Sequence, residues 1–226
     1  KMRWSQTGYG RTSSTSVAQE TPRNLFGFKD GTNNIKSEDG DAKLNEHLWV
    51  QKGDDSGADW MTGGTYFVVR KIHMFAEMWD NLRLIEQEQT FGRDKRYGAP
   101  LNVTAPTSGK DEFKPIDFKA KNKEGELEVP EDSHIAIVNP EQNKGRWMLR
   151  RGYNYTEGSD ALGRLSAGLF FIAFVRDPRT NFYPILDKMT QKDALSEYLQ
   201  HQARALFAIP AGIGQSDTMV GQALFS

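Results

Sequence analysis

The stretch Gly168-Leu169-Phe170-Phe171-Ile172-Ala173-Phe174-Val175 decides the fold class of this chain. Every residue in it is apolar or glycine, so neither face of the segment suits contact with water. Such a run, short and bounded by polar residues, is typical of a buried strand at the centre of a sheet. A second run, Thr65-Tyr66-Phe67-Val68-Val69-Arg70-Lys71-Ile72, is β-branched and aromatic after two glycines and predicts another strand.

Four further elements surround these strands. Residues 74–89 carry apolar side chains at helical spacing, and residues 147–155 predict a strand of alternating large side chains. Thr190-Gln191-Lys192-Asp193 resembles a capping box that opens a helix, and residues 205–209 form a last short strand before a proline. The order β-α-β-β-α-β indicates an α+β, ferredoxin-like antiparallel sheet with its helices on one face. This fold alone implies no function.

Composition places the 226-residue chain among globular proteins, with 26% charged residues and a formal net charge of -1. This balance gives no reason to expect a nucleic-acid partner. The absence of cysteine excludes disulfides, thiolate ligands and a cysteine nucleophile. Residues 1–23 are polar and predict a lead-in or linker, which leaves residues 24–226 as the domain. No signal-peptide pattern opens the chain, and it begins with Lys1.

His134 stands out among four histidines because acidic residues precede it and the apolar run Ile135-Ala136-Ile137-Val138 follows it. Apolar neighbours favour the neutral imidazole that a metal ligand requires. No second ligand lies at zinc-site spacing, whereas a single imidazole suits haem, whose porphyrin supplies the other nitrogens. A lone histidine is nevertheless more often a structural residue than a ligand.

Two other segments allow both a structural and a chemical interpretation. Gly27-Phe28-Lys29-Asp30-Gly31-Thr32-Asn33-Asn34 is first of all a turn with side-chain hydrogen bonds, and less readily a calcium loop. Arg150 and Arg151 are adjacent in a predicted strand, so their side chains point to opposite faces. The inward guanidinium needs an anionic partner, and a structural salt bridge is the plainer interpretation.

These segments together resemble the dye-decolorising peroxidases. The Gly27–Gly31 segment is similar to their Gly-x-x-Asp-Gly signature. The segment from His134 to Pro140 resembles the one that bears their proximal haem ligand. Their distal arginine lies on a strand that resembles Leu149-Arg150-Arg151-Gly152-Tyr153. Residues 64–100 resemble the branch that works in bacterial iron uptake. The similarity runs from about residue 4 to residue 225, in the same order.

The resemblance implies a role for each of these residues. His134 would bind the iron of haem b, with Asp30 as the base and Arg150 as the cation that act on hydrogen peroxide. Arg150 would also contact the haem, together with distal residues and residues at the haem edge: Gly31, Thr32, Asn33, Asn139, Pro140 and Glu141. Ala136 and Glu141 stand where family members often carry arginines for the haem propionates.

The resemblance further implies one half of a dimeric α+β barrel, with an N-terminal half absent from this chain. The expected function is a haem peroxidase that oxidises dyes, aromatic reductants or ferrous iron, in an exported location and in iron uptake. A deferrochelatase that releases iron from haem and a ferredoxin-like module without cofactor are the alternatives. Iron-uptake permease components and a second copy of the chain are the partners considered.

Overall fold

The computed structural model describes residues 4–215 and 217–225 of the chain. Its strands form one antiparallel sheet, in the order β1-β4-β5-β2-β6 with β3 beside β5. The strands are β1 (Tyr9–Arg11), β2 (Thr65–Met74), β3 (Leu149–Arg150), β4 (Tyr153–Ser159), β5 (Leu165–Val175) and β6 (Leu199–Ile209). The α-helices are α1 (Gly40–His47), α2 (Ala76–Asp80), α3 (Leu84–Phe91), α4 (His134–Val138), α5 (Pro178–Asn181) and α6 (Tyr183–Lys192).

The connectivity confirms the ferredoxin-like order. Strand β2 leads through α2 and α3 to the β4–β5 hairpin, and β5 leads through α5 and α6 to β6. Strand β2 lies between β5 and β6, so the first and last long strands of the motif are neighbours. The segment between α3 and β3, residues 92–148, is an insertion that carries α4.

Strand β5 occupies the central position that its apolar sequence predicts, but only one of its faces is fully covered. Ala173 and Val175 pack with Val68 of β2 and Phe182 in a buried cluster. On the opposite face Phe174 stacks on Phe67 and both rings are half-buried. The helices therefore cover one face of the sheet, and the other stays partly open among the described residues.

The predicted lead-in is wrong as a boundary, because much of it belongs to the domain. Strand β1 pairs with β4, and the backbone N–H of Thr12 donates to the carbonyl of Gly152. Thr12, Ser13 and Ser14 are each 1% exposed. Their side chains are small and can be buried once the polar groups find hydrogen-bond partners, so a polar composition did not mean a linker. Residues 1–3 lie outside the described residues.

The helices differ from the sequence-based prediction in position. Residues 74–89 form two short helices, with Trp79 and Phe91 buried and Met78 and Ile85 half exposed or more. The helix expected after Asp193 is a 3₁₀ helix over Ala194–Tyr198, and the longer helix α6 precedes it. Asp193 does cap that short helix, through the N–H of Leu195. No helix in the described part of the chain has the length and apolar character to cross a membrane.

Candidate functional site

Helix α4 begins at His134, and this residue bonds to a carboxylate far away in sequence. Its Nδ1 lies 2.7 Å from Oδ2 of Asp193, whose side chain is fully buried. The second oxygen of Asp193 accepts from the N–H of Leu195, and the N–H of Ala194 donates to the carbonyl of Asp132. These bonds fix the ring. In the neutral imidazole Nδ1 carries the proton, and the lone pair of Nε2 has no partner among the described residues.

Electrostatics at His134 favour a strongly basic imidazole. Burial alone would lower the pKa of His134, but the negative charge of Asp193 and its hydrogen bond raise it, with a smaller contribution from Asp30. The net pKa lies above the ordinary value, although the charge of Arg150 opposes this. Such a carboxylate-backed imidazole is the arrangement found behind metal-binding histidines, because it increases the basicity of the ligand nitrogen.

Asp30 and Arg150 form an ion pair at the same cavity. Nη1 of Arg150 lies 2.7 Å from Oδ1 of Asp30, with side chains 23% and 16% exposed. Arg150 is on β3, and the neighbouring Arg151 is exposed, as the alternation of side chains along a strand predicts. Since both charges of the pair shift the pKa of His134, the three side chains lie within electrostatic reach of one another.

A buried carboxylate from the long insertion holds the loop around Asp30. Glu112 accepts from Nζ of Lys29 at 2.8 Å and from the hydroxyl of Thr32 at 2.7 Å. The side chains of Lys29 and Glu112 are only 4% and 3% exposed. Asp30 is therefore fixed from both sides in the sequence, by the residues one before and two after it.

Asn34 and Lys36 join this loop to the strand of Arg150. The side-chain amide of Asn34 donates to the carbonyls of Ser14 and Arg150 and accepts from the N–H of Arg150. Lys36 donates to the hydroxyl and carbonyl oxygens of Ser14 and to the carbonyl of Gly31. Burial, followed by the charge of Arg150, lowers the pKa of Lys36.

Gly31 follows Asp30 in a conformation that other residues rarely adopt. Its φ is +91°, and a Cβ there would lie 2.7 Å from the Cα of Ser13. The glycine requirement therefore comes from the turn and from the neighbouring backbone of Ser13.

One large cavity brings these groups together. With its solvent-open mouth it encloses about 1350 Å³ of empty space. Its walls are mainly apolar and come from the helix-covered face of the sheet and from α3, α4 and α6. They include Ile72, Met74, Phe91, Leu169, Phe171, Phe182, Ile185 and Leu195.

The cavity contains nearly all residues singled out from the sequence. Its lining includes Asp30, Gly31, Thr32, Asn33, His134, Asn139, Pro140 and Arg150. Glu141 is exposed and is not among the residues that line the cavity, so the cavity lends no support to its expected place at the edge of a bound group. The backbone N–H of Glu141 donates to Oδ1 of Asn139, which caps the short 3₁₀ helix Pro140–Asn143.

Sequence reasoning missed the supporting residues, above all Asp193, Glu112, Asn34 and Lys36. Asp193 was noticed only as a helix cap, since nothing in the sequence links it to His134, 59 positions away. Glu112 lies in the insertion, whose unusual length was the one signal of a role.

The donor set does not suit a bare metal ion. Within the described residues, no group of three or more His, Cys, Asp or Glu side chains could hold one. A single imidazole in an apolar cavity instead fits a metal that brings its other ligands with it, as in a porphyrin.

Comparison with known proteins identifies the family of the chain. The family profile described as Dyp-type peroxidase, C-terminal, matches residues 21–214. The dye-decolorizing peroxidase of Thermobifida fusca is 37% identical over 212 residues, covering 93% of this chain and 47% of the relative. The deferrochelatase of Yersinia pseudotuberculosis is 35% identical over 226 residues, covering 99% and 50% respectively.

Solved structures give the same result. A complex of DtpA from Streptomyces lividans superimposes with a TM-score of 0.85 and 37% identity, over 97% of this chain and 57% of the other. A DyP-type peroxidase from Streptomyces coelicolor has a TM-score of 0.84 and 37% identity, over 96% and 56%. The chain spans about half the length of the curated relatives it matches. It belongs to the Dyp-type peroxidase family and corresponds to the C-terminal part of these proteins.

Proposed function

We propose that this chain forms the haem-binding half of a peroxidase that reduces hydrogen peroxide. The observation that carries the proposal is the pairing of two groups on one cavity: an imidazole backed by a carboxylate, and a carboxylate bonded to a guanidinium. His134 with Asp193 supplies the first, and Asp30 with Arg150 the second.

Haem b fits the residues present. Nε2 of His134 is available to the iron, because Nδ1 is occupied by Asp193. The apolar walls suit the porphyrin, and Gly31, Thr32, Asn33, Asn139 and Pro140 would lie around it. When bound, haem would supply the two electrons that reduce the peroxide, and a reductant would return them to it.

The chain's own groups provide the proton chemistry. Asp30, when ionised, accepts a proton from one peroxide oxygen and returns it to the departing oxygen. The guanidinium of Arg150 stabilises the negative charge that develops there. The contacts of Glu112 and the hydrogen bonds of Asn34 hold Asp30 and Arg150 in place next to each other, so little reorganisation is needed.

The natural reductant and the cellular role follow from resemblance. Dyes, aromatic molecules and ferrous iron are the reductants we propose, and bacterial iron uptake, in an exported location, is the setting. As partners we propose components of an iron-uptake permease and a second copy of the chain. The other part of the relatives' length corresponds to the N-terminal half expected for a dimeric α+β barrel, which we propose covers the open sheet face.

The experiment combines spectra with rapid mixing. Wild-type protein loaded with haem should react with hydrogen peroxide, and D30N and R150L should react about 10²- to 10³-fold more slowly while still binding haem. The exposed neighbour provides the matched control, since R151L should react as wild type does. Equal rates for all four proteins would refute the assignment of the pair.

A deferrochelatase is the second candidate, and the deferrochelatase of Yersinia pseudotuberculosis, matched over 99% of this chain, is the finding that favours it. Incubating haem-loaded protein with a reductant and measuring metal-free porphyrin fluorescence separates the two functions. Free porphyrin would support iron release, and intact haem would count against it. A protein that stays colourless with excess haem would favour the cofactor-free module instead.

A further inference from the structure

A buried cation lines the cavity away from the Asp30–Arg150 pair. Arg70 lies on β2, on the helix-covered face of the sheet, and is 6% exposed. Its guanidinium lies 5.9 Å from the ring centroid of Phe182. Both residues line the cavity. A guanidinium in such a position needs an anionic partner, because an unpaired charge in an apolar interior is strongly unfavourable.

The described residues provide no such partner. Arg70 forms none of the salt bridges found within residues 4–215 and 217–225. Its side-chain neighbour is His201, with both ring nitrogens 2.7 Å from Nη2 of Arg70. Desolvation and the charge of Arg70 lower the pKa of His201 to about 4, so the imidazole is neutral near pH 7 and cannot balance the charge.

Other cations of the cavity are satisfied. Lys29 pairs with Glu112, and Arg150 pairs with Asp30. Arg93 donates to the backbone carbonyls of Gly98 and Glu112. Arg70 differs from these three because it is as buried as Arg93 and yet has neither a carboxylate nor a carbonyl acceptor in the described part of the chain.

A second arginine that lines the cavity contacts the same junction of helices. Arg146 lines the cavity, and its Nη1 donates to the carbonyl of Thr180 at 2.7 Å. Thr180 belongs to α5, and Phe182, beside Arg70, joins α5 to α6. The two arginines therefore contact residues at the α5–α6 junction from different parts of the chain.

We propose that Arg70, assisted by Arg146, binds a carboxylate of the ligand that fills the cavity. This rests on the proposed function, under which the carboxylate is a haem propionate. In this chain the cations come from β2 and from the segment before β3.

The test compares haem with its dimethyl ester, in which both propionates are neutral. Soret titrations with wild type, R70M and R70K measure the dissociation constant for each ligand. R70M should bind haem about 10- to 100-fold more weakly than wild type does, and it should bind the dimethyl ester as tightly as wild type does. R70K keeps the charge but loses the planar fork, so its loss should be smaller.

Arg164 provides the control, because its side chain is 58% exposed, pairs with Asp160 and does not line this cavity. R164M should bind both ligands as wild type does. If R70M and wild type bind haem with equal affinity, this inference is overturned and the proposed function is not. If R70M loses affinity equally for haem and for the ester, Arg70 has a structural role instead. If R70M does not fold, the same comparison with R70K decides. A wild type that binds no haem would reject the proposed function as well.

Discussion

Substituting glutamine for Glu112 tests how firmly the insertion holds the loop of Asp30. The carboxylate of Glu112 bonds both Lys29 and Thr32, and its pair with Lys29 is almost completely buried, at 3% and 4% exposure. Glutamine preserves the shape and an acceptor for Thr32 but removes the charge. Lys29 is then left as a buried cation with only a long contact, 3.4 Å, to the carbonyl of Gly109.

The expected loss is large because one partner of a buried pair is removed. Breaking such a pair costs about 3–5 kcal/mol, since the remaining charge is uncompensated. Domains of this kind have a free energy of unfolding of about 5–15 kcal/mol, so E112Q should lose a substantial part of it. With a shift of about 2–4 °C per kcal/mol for chains of this size, the melting temperature should fall by at least about 6 °C.

Urea unfolding followed by tryptophan fluorescence measures this loss. The matched control is E157Q, which breaks the pair of Lys71 with a glutamate that is 41% exposed, and it should cost less than about 1 kcal/mol. The double variant K29M/E112Q should be more stable than the two single losses predict, because it removes the uncompensated cation. A loss below about 1 kcal/mol for E112Q would refute the reasoning, because it would mean that Lys29 reaches water.

Three further predictions concern single positions. D193N keeps a cap for the following 3₁₀ helix but loses the negative charge behind His134. Haem affinity, measured by Soret titration, should therefore fall about 10- to 100-fold. An unchanged affinity would contradict this. In urea unfolding, G31A should lose clearly more stability than G40A. Both glycines have positive φ, but only at Gly31 would the added methyl group meet a backbone atom, the Cα of Ser13 at 2.7 Å. Equal losses of stability would count against the steric explanation. The pKa of His201 is lowered to about 4, so the unfolded chain binds more protons between about pH 6.5 and pH 4 and the free energy of unfolding should decrease as the pH falls through this range. H201N should flatten that part of the pH profile, and an identical profile would refute the shift.

The sheet was predictable because its signal is local. The apolar run of β5 and the β-branched run of β2 mark their strands without reference to the rest of the chain. The α6 helix was missed because Pro178 lies shortly before its start and Pro184 lies in its first turn, and because its amphipathic pattern is short. The lead-in was misjudged since burial of small hydroxyl side chains depends on distant acceptors.

The candidate site divides in the same way. Asp30, His134 and Arg150 lie in short motifs, so a family resemblance identifies them. Asp193 and Glu112 act across 59 and 83 positions of sequence, where only the folded chain brings the groups together. The resemblance also named Glu141, whose side chain is exposed and is not among the residues that line the cavity.

The central claim is that the imidazole of His134 binds the iron of haem. Haem is added to wild type and to H134G, and the Soret spectra are recorded before and after adding free imidazole. Wild type should give a sharp band without imidazole, and H134G should give one only when imidazole fills the vacated space. The same sharp band in H134G without imidazole would contradict the account.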